Sequence, residues 1–214
     1  MRNHSAVLSG RNYGRMPSLE MESHLTTNSY GNFKLTDAVR PSFDLTVIPQ
    51  QGYRKTVLQI ESRRTMPQII ASISSENLFD AFFDLLDLLG GSVDAVLETS
   101  HWHGSNKHAD CCREQMDLPI LKSFLCSYEE LLLNDGCTGI AVLNPETETE
   151  VQFDEHKLIF VYAHSLRSFE RILKRYGIAY NNQLQFLTDA EHIHTTRDEY
   201  MQRFCELRTA LGME

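Results

Sequence analysis

The chain has 214 residues, of which 42% are hydrophobic and 23% charged, a balance typical of a globular protein with one sizeable core. Its formal net charge is −9, which argues against nucleic acid as the main partner because an acidic body repels phosphate backbones. No apolar run approaches the roughly 20 residues that cross a bilayer, so the sequence predicts a soluble protein without membrane contact.

The N-terminal part of the chain predicts an extension rather than part of the core. Residues 1–41 contain scattered Gly, Ser and Asn without a helical or strand period, and Pro41 marks the expected boundary. We therefore expect a disordered extension at 1–41, ordered only against the body or a partner, and a single domain at 42–214. The absence of an apolar signal segment and the odd count of five cysteines favour reduced thiols and a cytoplasmic location.

The first half of the domain predicts a hairpin, a helix and a strand. Alternating apolar residues at 43–47, followed by turn residues and a second run at 56–61, indicate a β-hairpin. The run at 69–73 fits either a strand or a connector. Residues 77–89 form the most apolar helical pattern of the chain, and the run at 93–99 predicts the strand that follows it.

The second half begins with a helix and continues with a β-meander. Asp117 and Pro119 are typical of a helix start, and the apolar spacing extends this helix to residue 132. Three short apolar runs follow, at 139–143, 149–153 and 158–163, which predict a three-stranded meander. The polar residues of its middle run indicate an edge strand, whereas the outer two runs predict central strands.

Two helices and a short strand complete the predicted fold. A basic amphipathic helix is expected after Ser165, a strand at 184–187, and a final helix opened by a capping box at 196–199. The order of elements neither alternates strictly nor separates strands from helices. The predicted fold class is therefore α+β: a mixed, largely antiparallel sheet of about six strands, including the meander, with about four helices packed on it.

Histidine and cysteine residues cluster directly after the predicted strand at 93–99. His101 and His103 alternate at its end, so their rings point to one side, and a loop can bring His108 or Cys111 to the same ion. The cluster indicates a zinc-type site formed by these four residues. The alternative is a polar loop with exposed imidazoles. No other cofactor is indicated.

A second alternating pair, His192 and His194, precedes the final helix. If it approached the first pair, four imidazoles would converge near strand ends, where proteins often bind ligands. The alternative is that Ile193 is buried and both histidines face water. His156 is assigned to a turn, and His164 lies beside the start of the basic helix.

The sequence contains neither a G-x-S-x-G nucleophile elbow nor a phosphate-binding P-loop. The first functional hypothesis is a non-enzymatic binding or protein-interaction module. The alternative is a metal-dependent, zinc-type hydrolase that uses the His101, His103 and His108 cluster with Asp110 as general base. Whether the chain is an enzyme stays open.

Two surfaces are candidates for partners. Self-association through the strand at 149–153 or through the basic helix would make the chain a structural protein. The basic helix carries Arg167, Arg171, Lys174 and Arg175 in the acidic half of the chain, and such a surface suits an acidic partner or an anion. Pairing with neighbouring carboxylates is the simpler interpretation of these four charges.

Overall fold

Five stretches of the chain are described by the computed structural model of this protein: residues 5–8, 25–42, 45–61, 64–101 and 109–213. Twelve strands, five α-helices and one short 3-10 helix lie wholly within these stretches.

The elements are numbered in chain order. The strands are β1 Ser5–Leu8, β2 Ser29–Tyr30, β3 Phe33–Lys34, β4 Val39–Pro41, β5 Gly52–Glu61, β6 Arg64–Ser72, β7 Ser92–Thr99, β8 Ala109–Asp117, β9 Thr138–Asn144, β10 Thr149–Phe153, β11 Leu158–Tyr162 and β12 His192–Thr196. The helices are α1 Ser75–Leu86, α2 Leu118–Ser127, α3 Glu129–Asn134, α4 Arg167–Arg175 and α5 Asp198–Ala210, with the 3-10 helix at Leu187–Asp189.

Seven strands form the main sheet in the spatial order β5-β6-β11-β10-β9-β7-β8, and every neighbouring pair is antiparallel. A second sheet has the order β1-β12-β4, and β2 pairs with β3. Helices packed on an antiparallel sheet define an α+β fold, which confirms the predicted class and the meander. The helix predicted from Asp117 to residue 132 is interrupted at Tyr128, where it divides into α2 and α3.

Helix α1 lies at the centre of the core, as its apolar pattern predicts. Leu78, Phe82, Leu85 and Leu86 are fully buried, and the Phe82 ring lies 5.3 Å from the ring of Phe153 on β10. Strand β7 alternates buried and partly exposed residues, so one face of the sheet packs against the core. In the described part of the chain, no helix is long and apolar enough to span a membrane.

The second strand of the predicted hairpin pairs with a different strand in the structure. The sequence pairs 56–61 with 43–47, whereas the structure pairs β5 with β6. Residues 45–47 form no strand, and residues 43–44 lie outside the described part. Pro67 is tolerated inside β6 because it lies just beyond the point where the pairing of β6 with β11 ends, so its missing N–H breaks no bond to β11.

Strand β10 is central rather than an edge, which makes the edge prediction for the meander wrong. It lies between β9 and β11, and its polar residues face the side of the sheet away from α1. There the amide of Gln152 donates to Glu98 Oε2 at 3.1 Å. Self-association by edge pairing is therefore not available to residues 149–153; the edges of the sheet are β5 and β8.

Two further local predictions are wrong. Residues 184–186 form a loop that leads into the 3-10 helix instead of a strand. The capping box at the start of α5 does not form, because Thr196 ends β12 and its hydroxyl donates to Asp135 at 2.6 Å. A tertiary hydrogen bond thus replaces the local one.

Part of the predicted extension at 1–41 contributes strands. β4 and β1 pair with opposite sides of β12, and Ala38 and Val39 are buried. These strands place the N-terminal stretch against the C-terminal part of the chain. Residues 1–4 and 9–24 lie outside the described part.

Candidate metal centre

Three imidazoles, from His156, His192 and His194, come together beside the second sheet; we call them the trihistidine cluster. Their ring centroids are 4.7–5.1 Å apart, and one ring nitrogen of each lies within 4.8 Å of a ring nitrogen of the other two. His194 is buried, whereas His156 and His192 are partly exposed. The cluster is therefore held by the fold and still reached by solvent.

Two elements position the cluster. His192 and His194 are two residues apart on β12, so strand alternation puts both rings on one face. His156 lies in the tight turn between β10 and β11. Asp154 Oδ1 closes this turn by accepting the backbone N–H groups of His156 at 3.1 Å and Leu158 at 2.8 Å.

Each ring of the cluster donates its Nδ1–H to an oxygen that can only accept. The distances are 2.7 Å from His156 to Asp154 Oδ2, 2.9 Å from His192 to Ala190 O, and 2.5 Å from His194 to Gly136 O. These bonds fix the tautomer and the orientation of the rings, as carboxylate and carbonyl partners do around metal-bound histidines. They leave Nε2 of each ring as the nitrogen available to a ligand.

The environment acts differently on two of the imidazoles. Burial lowers the pKa of His194, and the neighbouring His156 lowers it further. The hydrogen bond to the Gly136 carbonyl acts in the opposite direction but does not cancel these effects. Burial is the largest single influence on His156 and disfavours its charged form, but the hydrogen bond to Asp154 and the charges of Asp154 and Glu155 together outweigh burial and raise the pKa of His156. His194 is therefore neutral at pH 7, which is the form that binds a metal ion.

A second group of metal-ligand residue types lies at the start of β9, where His101, Asp135 and Cys137 offer donor atoms within 4.8 Å of one another. The His101 and Asp135 side chains are 5% and 0% exposed, and His101 Nε2 lies 2.7 Å from Asp135 Oδ2. Because the carboxylate can only accept, His101 uses this nitrogen as a donor.

The Asp135 carboxylate is already saturated with hydrogen bonds. Oδ2 accepts from His101 and from the Thr138 hydroxyl at 2.5 Å, and Oδ1 accepts from the Thr196 hydroxyl and the Cys137 N–H. Burial alone would raise the pKa of Asp135, but these donors hold it below its usual value. A metal ion here would have to displace several of them, so the trihistidine cluster is the better metal centre.

The backbone at Gly136 joins the two groups. Its N–H donates to Thr195 O at 2.8 Å, while its carbonyl accepts from His194. A Cβ at this position would lie 2.3 Å from Ala38 O, so only glycine permits this close approach of the loop to β4 and β12.

Lys157 fills the space next to the cluster. Its ammonium group donates to Thr138 O at 2.8 Å, and burial lowers its pKa to about 8 against the attraction of nearby carboxylates, Asp135 first. A cavity of about 30 Å³ is lined by His156 and Lys157 together with residues of β3 and β4. This space suits a water molecule rather than an organic substrate.

The residues predicted from the sequence lie in different places. His101 belongs to the Asp135 group, whereas Cys111 is buried in the apolar core on β8, opposite Leu97. His103 and His108 lie outside the described residues, so the four-residue site stays a prediction.

Of the remaining predicted residues, Asp110 is exposed and pairs in register with Glu98. His192 and His194, the second alternating pair of the sequence, lie together with His156 in the trihistidine cluster. Ile193 is buried as the alternative expected, but His194 is buried too instead of facing water. The sequence assigned His156 to a turn, but it gave no sign that this turn lies beside His192 and His194, because that proximity depends on the tertiary fold.

Comparison with protein-family models found no match, and comparisons with curated proteins and with solved structures likewise found none. No function is therefore transferred from a relative.

Cys137 is predicted to be an unreactive thiol. It is 2% exposed, and burial, with a smaller contribution from the Asp135 charge, raises its pKa to about 11. Since the thiolate is the reactive form, Ellman's reagent should quickly modify the exposed Cys112 and Cys126 in the native protein and leave Cys137 intact until unfolding. Loss of a fast-reacting thiol in Cys137→Ser would contradict this.

Substitution of Asp135 is predicted to be strongly destabilising. Asp135→Asn turns an amide N–H₂ donor toward groups that themselves donate to the carboxylate, and a buried donor left unsatisfied costs about 1–3 kcal/mol in the free energy of unfolding. The matched control is His164→Ala, which breaks the exposed contact with Glu148 and should cost about 0–1 kcal/mol. Urea unfolding measures the free energy of unfolding of both variants. Equal losses would contradict the stabilising role assigned to the Asp135 carboxylate.

The lowered pKa of Asp135 also predicts how the free energy of unfolding depends on pH. The folded-state pKa of Asp135 is lowered, so its stabilising contribution is present above the unfolded pKa of about 3.9 and is lost as the pH falls through the folded value. Unfolding of Asp135→Asn should therefore depend less steeply on pH below about 4 than that of the wild type. Parallel plots of unfolding free energy against pH for the variant and the wild type would contradict this prediction.

Proposed function

We propose that this protein is a metal-binding module that holds a zinc-class divalent ion through the Nε2 atoms of His156, His192 and His194. The observation that carries the proposal is the donation of all three Nδ1–H groups to fixed acceptors, which leaves the Nε2 atom of each of three neighbouring rings for a ligand. Neutral imidazole is a preferred ligand of Zn²⁺ and of neighbouring transition metals.

The spacing supports this proposal. Tetrahedral zinc with nitrogen at about 2.0–2.1 Å requires ligand atoms about 3.4 Å apart. One ring nitrogen of each histidine already lies within 4.8 Å of a ring nitrogen of the other two, so the rings are close to the spacing that zinc needs. Three protein ligands leave a fourth position for water.

Charge also favours a bound cation. The chain has a net charge of −9, and the Asp154 carboxylate bonded to His156 raises the basicity of that ring as a ligand. Lys157 is the opposing charge nearby, but its ammonium group is turned to Thr138 O.

A hydrolase centred on the trihistidine cluster has less support; the hydrolase predicted from His101, His103 and His108 stays a prediction, because His103 and His108 lie outside the described residues. An open fourth position suits activation of water, but the cavity of about 30 Å³ beside His156 lacks the roughly 300–1,000 Å³ of a substrate site. Binding, rather than catalysis, is the role that the described residues support best. Hydrolysis of an activated ester by the zinc-loaded protein would favour the alternative.

The test is zinc binding by tag-free protein, measured by calorimetry and elemental analysis. Wild type is predicted to bind one zinc ion, and saturation at about 100-fold above the Kd should add about 2.7 kcal/mol to the free energy of unfolding. His192→Ala, which changes a partly exposed ring, should lose both effects.

His164→Ala is the matched control, because its ring is exposed and bonded to Glu148 away from the cluster. It should bind zinc like the wild type. Urea unfolding of each metal-free variant separates loss of a ligand from loss of the fold. Equal zinc binding by His192→Ala and wild type, or no binding by either, would overturn the proposal.

A further inference from the structure

An open pocket lies between α4, the start of β5 and the loop that follows α4. Its volume is about 490 Å³, within the range of about 300–1,000 Å³ found for small-molecule sites. The left-handed conformation of Gly177, with φ +71°, ends α4 and turns the chain into this loop. The pocket shares no lining residue with the trihistidine cluster.

One wall of the pocket is strongly basic. Arg167, Arg171 and Lys174 are spaced i, i+4 and i+7, so they share one face of α4, and all three line the pocket. All three are exposed, and within the described residues none forms a salt bridge. The guanidinium of Arg171 donates a hydrogen bond to the hydroxyl of Ser168 at 3.0 Å. The sequence suggested pairing with carboxylates for four charges of this helix, and within the described residues Arg175 makes such a pair, with Asp84 at 3.1 Å, whereas Arg167, Arg171 and Lys174 do not.

Glu170 is the acidic residue of the pocket lining, and its charge is already compensated. Its Oε1 lies 2.9 Å from the ammonium of Lys55 and accepts the Tyr53 hydroxyl at 3.1 Å. The three cations of α4 therefore leave the pocket with an uncompensated positive charge, although the whole chain is acidic.

A second part of the pocket wall presents an aromatic ring. Tyr180 is 50% exposed, and its ring centroid lies 5.5 Å from that of Tyr53. Backbone hydrogen bonds hold the loop against β5, since Tyr53 N donates to Ala179 O at 2.9 Å and Asn181 N donates to Tyr53 O at 2.8 Å. The Lys55 ammonium lies 5.0 Å from the centroid of the Tyr180 ring, and the exposed half of the ring offers a surface on which a planar base stacks.

We propose that this pocket binds a nucleoside phosphate, with the phosphate on Arg167, Arg171 and Lys174 and the base against Tyr180. Guanidinium groups match phosphate oxygens in paired hydrogen bonds, and three cations suit a dianion better than a single carboxylate. The neighbouring ring accounts for the base, which a site for free phosphate would not need. The proposal does not depend on the metal centre.

The test compares three probes on the full chain by calorimetry: AMP, adenosine and inorganic phosphate. AMP should bind most tightly, since it alone uses both walls. Arg171→Ala is expected to weaken AMP binding about tenfold, the loss of one charged hydrogen bond. Tyr180→Leu should reduce the preference for AMP over inorganic phosphate.

Arg175→Ala is the matched control. It removes the same charge from the same helix, but Arg175 lies outside the pocket lining and donates to Asp84 at 3.1 Å. AMP affinity should stay at the wild-type value. All these side chains are exposed, and thermal unfolding checks that each variant folds.

Three results would overturn the proposal. The first is no AMP binding at millimolar concentration. The second is equal weakening by Arg175→Ala and Arg171→Ala, which indicates diffuse attraction to a basic surface. The third is displacement of AMP by polyglutamate at equal charge concentration, which indicates a docking surface for an acidic protein segment.

Discussion

The buried carboxylate of Asp135 is the constraint on which the arrangement of both histidine groups depends. It accepts four hydrogen bonds, from the ring of His101 after β7, from the Cys137 N–H and Thr138 hydroxyl at the start of β9, and from the Thr196 hydroxyl at the end of β12. Three distant segments are thereby joined at one side chain. An anion at this depth is tolerated only because all of its acceptor sites are used, and removal of a donor leaves an uncompensated buried charge.

The trihistidine cluster follows from this junction. Once β12 is fixed to the loop before β9, Gly136 approaches β12 closely enough for its carbonyl to orient His194, and strand alternation brings His192 to the same side. The turn between β10 and β11 adds His156, oriented by its own aspartate. A metal ion would thus be held by rings whose second nitrogens are already bound to rigid backbone or to a closed turn, which reduces the ordering needed on binding.

Local patterns predicted most of the elements but not their neighbours. The apolar helix α1, the strand β7 and the meander were all visible because each carries its own period. The partner of β5, the central position of β10 and the hydroxyl bond of Thr196 depend on contacts between distant segments, which a single sequence does not contain. The same limit applies to the site: His192 and His194 were recognisable as a pair, but the approach of His156 is set by the order of β10, β11 and β12 in space.

X-ray absorption at the zinc edge of the loaded wild-type protein is the most direct test of the proposed metal centre. Coordination by the trihistidine cluster predicts nitrogen or oxygen scatterers alone at about 2.0–2.1 Å, with the outer-shell pattern of about three imidazoles. A sulfur scatterer at about 2.3 Å would contradict it, because that distance requires a cysteine thiolate such as Cys137 or Cys111 and would move the metal to another group of residues.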